Sequence, residues 1–250
     1  MLYEKQGPIG LITINRPEMK NPLNMAVFKA LDSVLDQISV DQEVRVIIVT
    51  GAGNSFVAGA DIHELLAMDT QVGWVSSRFQ QSVFNKLENL GKPSIAAING
   101  FAMGGGLELA LSCTFRVASV KARLGFPELG LGIIPAFGGT KRAVRTIGYA
   151  KASEMLLFRS IIDGEEALKI GLVHQTVQED QVMGKAKELA QNLALLSPIA
   201  IRLELELLLR SQESVFDEAL ALESALAALA VSTTEAKELL GKFVTKVKGK

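Results

Sequence analysis

The stretch SIAAINGFAMGGGLELALSCTFRVAS, Ser94–Ser119, constrains the fold more than any other part of the chain. A β-rich run, Ser94–Gly100, leads into three consecutive glycines, Gly104 to Gly106. An apolar helical pattern follows, and then a second β-rich run, Phe115–Ser119. A switch from strand to helix period and back over so short a distance requires a tight strand–helix–strand unit. Two further β-rich runs, Leu11–Asn15 and Val44–Gly51, flank NMAVFKALDSVLDQIS, whose apolar residues recur at helical spacing behind Asn24 as N-cap. Strands separated by helices predict α/β architecture rather than a sandwich. From about Tyr149 the pattern turns helical, and past Ser197-Pro198 almost wholly so. There PIAIRLELELLLRS reads as an amphipathic helix. VFDEALALESALAALAV is apolar on more than one side, which either subunit contacts or an ordinary buried position would explain.

Composition narrows the class. With 250 residues, 48% of them hydrophobic, the chain can bury a substantial core in one large domain, or in a core domain with an appendage. A net charge of -1 argues against general nucleic-acid binding or attachment to a membrane surface. The single cysteine, Cys113, excludes an internal disulfide, fits a reducing compartment and reads as core. No apolar run approaches the roughly 20 residues of a membrane span. The N-terminus enters strand pattern at once, with no room for a signal peptide. The expectation is a soluble, cytoplasmic protein.

Several motifs can be set aside. VRVIIVTGAGNSF places Gly51 and Gly53 after a strand, like the start of a dinucleotide fingerprint. Phe56 stands where the third glycine should be, so a βα-type loop is the better reading. Two histidines, His63 and His174, lie far apart, no ligand spacing for a metal occurs, and no G-x-S-x-G elbow surrounds a serine. If the chain is a catalyst, carboxylates and backbone amides must carry the chemistry.

The glycine triplet supplies such amides. N–H groups at a helix start have no partner in the helix, and glycine lets a ligand approach them, which suits a developing oxyanion. Tight helix–strand packing would also explain the glycines. Glu108 follows two positions after the triplet, and GFPELGLGIIPAFGGTKR (Gly125–Arg142) holds Glu128 in a segment otherwise poor in charge. Two acids in apolar surroundings are candidates for raised pKa values and acid/base work, although Glu128 could instead complement a helix dipole. In SFVAGADIHEL, Ala58, Gly59 and Ala60 lie between a strand and a helix that Asp61 would cap. The N–H groups of Ala60 and Gly105 would form a pair of donors for one oxygen.

Taken together, NRPEMKNPLN, SFVAGADIHEL, INGFAMGGGLELALSC, LGFPELGLG and IIPAFGGTKR closely resemble the crotonase, or enoyl-CoA hydratase–isomerase, superfamily, from residue 8 to the end. The resemblance is closest to enoyl-CoA hydratase. It implies an α/β spiral of repeated β-β-α units over 1–194, with a C-terminal helical region over 195–250 that builds trimers, commonly paired into hexamers. It implies an acyl-CoA substrate, no cofactor beyond the coenzyme A of that substrate, no metal, and neither nucleic acid nor membrane as partner. The thioester oxygen would lie between Ala60 and Gly105. Glu108 would help deprotonate the water that attacks Cβ, and Glu128 would deliver the proton to Cα. Substrate and CoA contacts would fall on Lys20, Ala58, Gly59, Asp61, Ile62, Ala136 and Lys246, although the basic run around Lys246 also reads as a solvated tail; Met68, Trp74 and Phe79 would lie near the acyl group or in the core. Isomerases of the superfamily usually keep only the acid matching Glu128, so two acids favour hydration. Isomerisation, or hydration of a cyclic dienoyl-CoA, is the nearest alternative, and a non-catalytic RNA-binding homologue is a more distant one. Two departures stand out: Ala136 where many hydratases have glycine, and His63 where lysine is frequent.

Overall fold

A computed structural model describes residues 1–211 and 214–248, with side chains described as far as residue 245. Two compact units divide the chain, Met1–Ala194 and Leu195–Lys250.

The first unit opens with an antiparallel pair, β1 (Leu2–Gln6) and β2 (Ile9–Ile14), followed by α1 (Met25–Val40). Asn24 caps α1 by accepting a hydrogen bond from the Val27 N–H. Three β-β-α turns come next. The first is β3 (Val46–Gly51), β4 (Ser55–Val57), α2 (Ile62–Leu66) and α3 (Thr70–Glu88). The second is β5 (Ser94–Ile98), β6 (Phe101–Met103) and α4 (Gly105–Ser112). The third is β7 (Phe115–Ser119), β8 (Arg123–Gly125) and α5 (Gly139–Leu157). Then β9 (Ile161–Asp163), α6 (Gly164–Lys169), β10 (Gln175–Val177) and α7 (Val182–Ala194) complete the unit. The leading strand of each turn joins a six-stranded sheet ordered β1-β2-β3-β5-β7-β10. The second strand joins a four-stranded sheet ordered β4-β6-β8-β9. Within each sheet the strands of successive turns pair in parallel, so each turn stacks directly on the one before.

Side-chain alternation seals the large sheet on both faces. Ile47 and Val49 of β3 enter the main core with Phe28 and Leu31 of α1. Val46 and Ile48 face a second cluster with Val182, Ala186 and Ala190, which recur every four residues along α7. A strand buried on both faces reads as a continuous apolar run, as Val46–Val49 does.

Two expectations need correction. The Gly51–Gly53 loop is a β–β connection, not a βα one. A Cβ on Gly51 would sit 2.0 Å from the Phe56 carbonyl oxygen, so glycine is needed for the chain to fold back into β4. The region past Tyr149 is also not purely helical, because β9 and β10 interrupt it. Both strands have only three residues and take their form from pairing with β8 and β7, so they show no period of their own.

The second unit comprises α8 (Pro198–Arg210), α9 (Phe216–Ser232) and α10 (Thr234–Lys248). Ser197 caps α8 in front of Pro198. Neither α8 nor α9 buries a residue, and Leu208, Phe216, Leu220 and Leu229 are exposed. No single described helix is long and apolar enough to cross a membrane.

Candidate active site

Parallel stacking of the turns sets the loop that follows β4 beside the start of α4. Each glycine of the triplet answers a different demand there. Gly104 takes φ +50°, and a Cβ on it would lie 2.5 Å from a Glu128 carboxyl oxygen. Gly106 packs α4 onto β4 so closely that a Cβ would meet the Val57 carbonyl oxygen at 2.0 Å. A Cβ on Gly105 would strike the Phe137 ring at 2.7 Å and lie 3.5 Å from the Ala60 nitrogen, so the two candidate amides adjoin. Gly105 is the first residue of α4, where the N–H has no partner in the helix. Ala60 is turned by a one-residue bridge: the Leu23 N–H donates to the Gly59 carbonyl and the Asp61 N–H to the Leu23 carbonyl, each at 2.8 Å. Those bonds flank Ala60 and leave its own N–H on the opposite side of the strand.

Asp61 holds this loop. Its carboxylate accepts from Arg16 Nη1 at 2.8 Å and from the His63 N–H at 3.2 Å, and the same Arg16 nitrogen also donates to the Pro22 carbonyl. The bond from Arg16 keeps the carboxyl below its ordinary pKa, hence ionised.

Glu108 is 1% exposed on α4. Its Oε1 accepts from the Phe137 N–H at 2.8 Å and the Gly139 N–H at 2.7 Å, both at the start of α5. Burial pushes its pKa up to about 7, opposed by these two donors and by Arg142 and reinforced by the nearby Glu128 carboxyl. Glu128, 8% exposed, opens a short 3₁₀ turn (Glu128–Leu131) after Pro127. Burial raises its pKa, and its Oε2 is buried without a hydrogen-bond partner in the chain. One acid is therefore anchored, while the other has an oxygen with no protein group to satisfy it.

The segment that anchors Glu108 is itself held. Buried Arg142 donates through Nη1 to the Phe137 carbonyl at 3.1 Å, and through Nε and Nη2 to Glu88 Oε2 on α3 at 3.0 and 2.8 Å. Arg145 also pairs with Glu88. Below the loop, Phe137 packs edge-on against Phe28 and Phe84, with ring centroids 5.2 and 6.0 Å apart.

These groups surround a cavity of about 130 Å³. Ala58, Gly59, Ala60 and Ile62 line it from the loop after β4, Gly105 and Glu108 from α4, and Glu128 and Ala136 from the segment before α5. Motif reading did not place Phe137, Ile133 and Ile134 there, and they complete the apolar wall. Their apolar character in an otherwise polar-free segment was the available signal. Three groups of expected contacts lie apart from this lining. Asp61 does not line the cavity, because its carboxylate is taken by Arg16 and the helix cap. The Lys20 ammonium lies over the Phe101 ring, 4.6 Å from its centroid. Of the 65–89 stretch only Leu65 reaches the wall, since Phe79 packs on the core and Trp74 is 71% exposed. The Lys246 side chain lies outside the described residues. Cys113 is buried in the core, and among the described residues no group of three or more His, Cys, Asp or Glu is placed to hold a metal.

A stacked β-β-α spiral sets two carboxyls and two backbone amides around one cavity, an arrangement whose donors suit charge developing on an oxygen. Residues 4–250 match the family model described as enoyl-CoA hydratase/isomerase, and the chain belongs to this family. It is 43% identical to a short-chain-enoyl-CoA hydratase of Clostridium acetobutylicum over 99% of this chain and 95% of that protein. It is 35% identical to a crotonyl-CoA hydratase of Syntrophomonas wolfei over 99% and 96%. A crystal structure of an enoyl-CoA hydratase from Bacillus anthracis superposes with a TM-score of 0.94 at 35% identity, covering 98% of this chain and 96% of that one.

Proposed function

We infer that this protein is an enoyl-CoA hydratase, a hydro-lyase that reversibly adds water to a trans-2-enoyl-CoA to give the (3S)-3-hydroxyacyl-CoA. The observation that carries the reading is the pair of buried carboxyls, Glu108 and Glu128, on one cavity with the Ala60 and Gly105 amides. The thioester oxygen accepts from both amides, which withdraws charge from the conjugated double bond and stabilises the enolate that forms. A water lies between the carboxyls. Ionised Glu108 takes a proton from it as its oxygen bonds to C3, and protonated Glu128 gives a proton to C2. A proton passing from Glu108 back to Glu128 restores the starting state. Coenzyme A is then part of the substrate and no other cofactor enters the reaction. Ala58, Gly59 and Ile62 would contact the acyl-CoA near the thioester. Lys20 and Lys246 would act around the coenzyme A portion, while Asp61 would hold the loop that carries the Ala60 amide.

Support comes from the names of the relatives and from the retention of both acids. An isomerase needs one acid to move a proton between carbons, whereas water addition uses a second one. The unpartnered Glu128 oxygen favours a site that holds a polar reactant there. The test is loss of conjugated-thioester absorbance on crotonyl-CoA. Turnover by the wild-type protein that vanishes in E108Q and E128Q supports the reading. Equal background rates in all three would overturn it, and 3-enoyl-CoA as the better substrate would favour isomerisation.

A further inference from the structure

The Ala136–Phe137 peptide is bound at both ends. Its N–H is the 2.8 Å donor to Glu108 Oε1. Its carbonyl, on Ala136, accepts from Ser77 Oγ at 2.7 Å and from Gln81 Nε2 at 2.9 Å. Ser77 and Gln81 stand four residues apart on one face of α3, and the Gln81 amide also reaches Ser77 Oγ at 3.4 Å. The two ends of a peptide group are linked by resonance, so donors on the oxygen draw charge from the nitrogen and make its N–H a stronger donor. Two donors also fix the plane of the peptide, and so the direction in which that N–H points. Neither side chain lines the cavity, so a direct role in chemistry does not explain why both converge on one carbonyl.

We propose that Ser77 and Gln81 are positioning residues for the reaction at this site: they pin and polarise the Ala136–Phe137 peptide so that its N–H holds the Glu108 carboxylate in place as base. The proposal rests on the hydratase reading for its catalytic part, while the clamp on Glu108 can be measured without turnover. Charged groups around Glu108 are Glu128 from the 3₁₀ turn and Arg142 from α5, the latter neutralised by Glu88 of α3. None of these is changed by altering Ser77 or Gln81.

The experiment compares wild type, S77A/Q81A and S77T, which keeps a hydroxyl. Glu108 is titrated in the substrate-free protein by ¹³C-carboxyl NMR, with E108Q assigning the signal, alongside the pH profile of kcat/KM on crotonyl-CoA. Loss of both donors weakens the bond to the ionised form. The Glu108 titration should then move to higher pH by roughly 0.3–1 unit, and the limb of the rate profile that reports Glu108 should move with it. kcat should fall about 5- to 30-fold with KM within about threefold, the mark of an interaction that matters in the transition state. S77T should stay close to wild type. An unmoved Glu108 titration in S77A/Q81A overturns the proposal, whether or not the melting temperature drops, because the contacts would then serve packing alone. If the titration moves but the wild-type protein does not hydrate crotonyl-CoA, the clamp stands and the hydratase reading falls.

Discussion

On Glu108 two physical effects act in opposite directions. Burial favours the neutral acid, and two backbone N–H groups on one oxygen favour the carboxylate, leaving the group to titrate at about 7. A base must be ionised, so kcat/KM for hydration should fall as pH drops through that value. Glu128, whose pKa burial also raises, must be protonated to act as acid, so its ionisation should remove the proton donor. A bell-shaped profile is expected, with limbs that belong to the interacting pair. Replacing either acid by glutamine should lower kcat by about 10²–10⁴-fold. Stability should move differently. A folded pKa above the unfolded value contributes stability at low pH that is lost as pH rises through the folded pKa. E108Q mimics the neutral form and should melt no lower than wild type at pH 8, as calorimetry can check. A large loss of melting temperature would show instead that the anchored carboxylate holds the α5 start together.

At the scale of elements, the start of α4 is legible as a set of close approaches. G106A places a methyl against the Val57 carbonyl, which cannot yield without moving β4. Overpacking of this kind costs roughly 1–3 kcal/mol or more, so the melting temperature should drop by about 3–10 °C. In G105A the new methyl meets a ring, which can tilt, next to the Ala60 amide. That variant should lose kcat more than stability, and paired melting and steady-state measurements separate the two. Arg142 joins α3 to α5 as one partner of a buried ion pair with Glu88. Removing it leaves Glu88 to Arg145 alone and the Phe137 carbonyl without this donor, and R142A should lose about 1–3 kcal/mol in denaturant unfolding. Much of this was readable beforehand. The strand at Val46–Gly51, the helix capped by Asn24, the glycine triplet and both acids follow from period, capping and isolated charge. The three-residue strands β6 and β8 did not stand out, because so short a run has no period and exists only through its neighbours.

For the whole molecule, the second unit presents large apolar side chains that are exposed among the described residues. α9 leaves Phe216, Leu220 and Leu229 exposed, and α10 adds Leu239, Leu240 and Phe243. Exposed apolar area on this scale fits subunit contacts, and light scattering should give a multiple of the 26.8 kDa chain mass. Charged replacement at Leu220 and Leu229 should lower that mass, and an unchanged 26.8 kDa species in the unaltered protein would refute assembly.

Sequence by itself determined the candidates for chemistry: which acids stand alone among apolar residues and where glycines would free amides at a helix start. Period and residue type are local properties, and those features are local. Only the tertiary structure decided which of these groups share a cavity. Parallel stacking of successive β-β-α turns brings Ala60 beside Gly105. The α5 start then lays two N–H groups on Glu108, while Arg16 draws Asp61 away into a structural bond. Contacts between residues far apart in the chain are set by strand order and register, which leave no local mark on the residues they bring together.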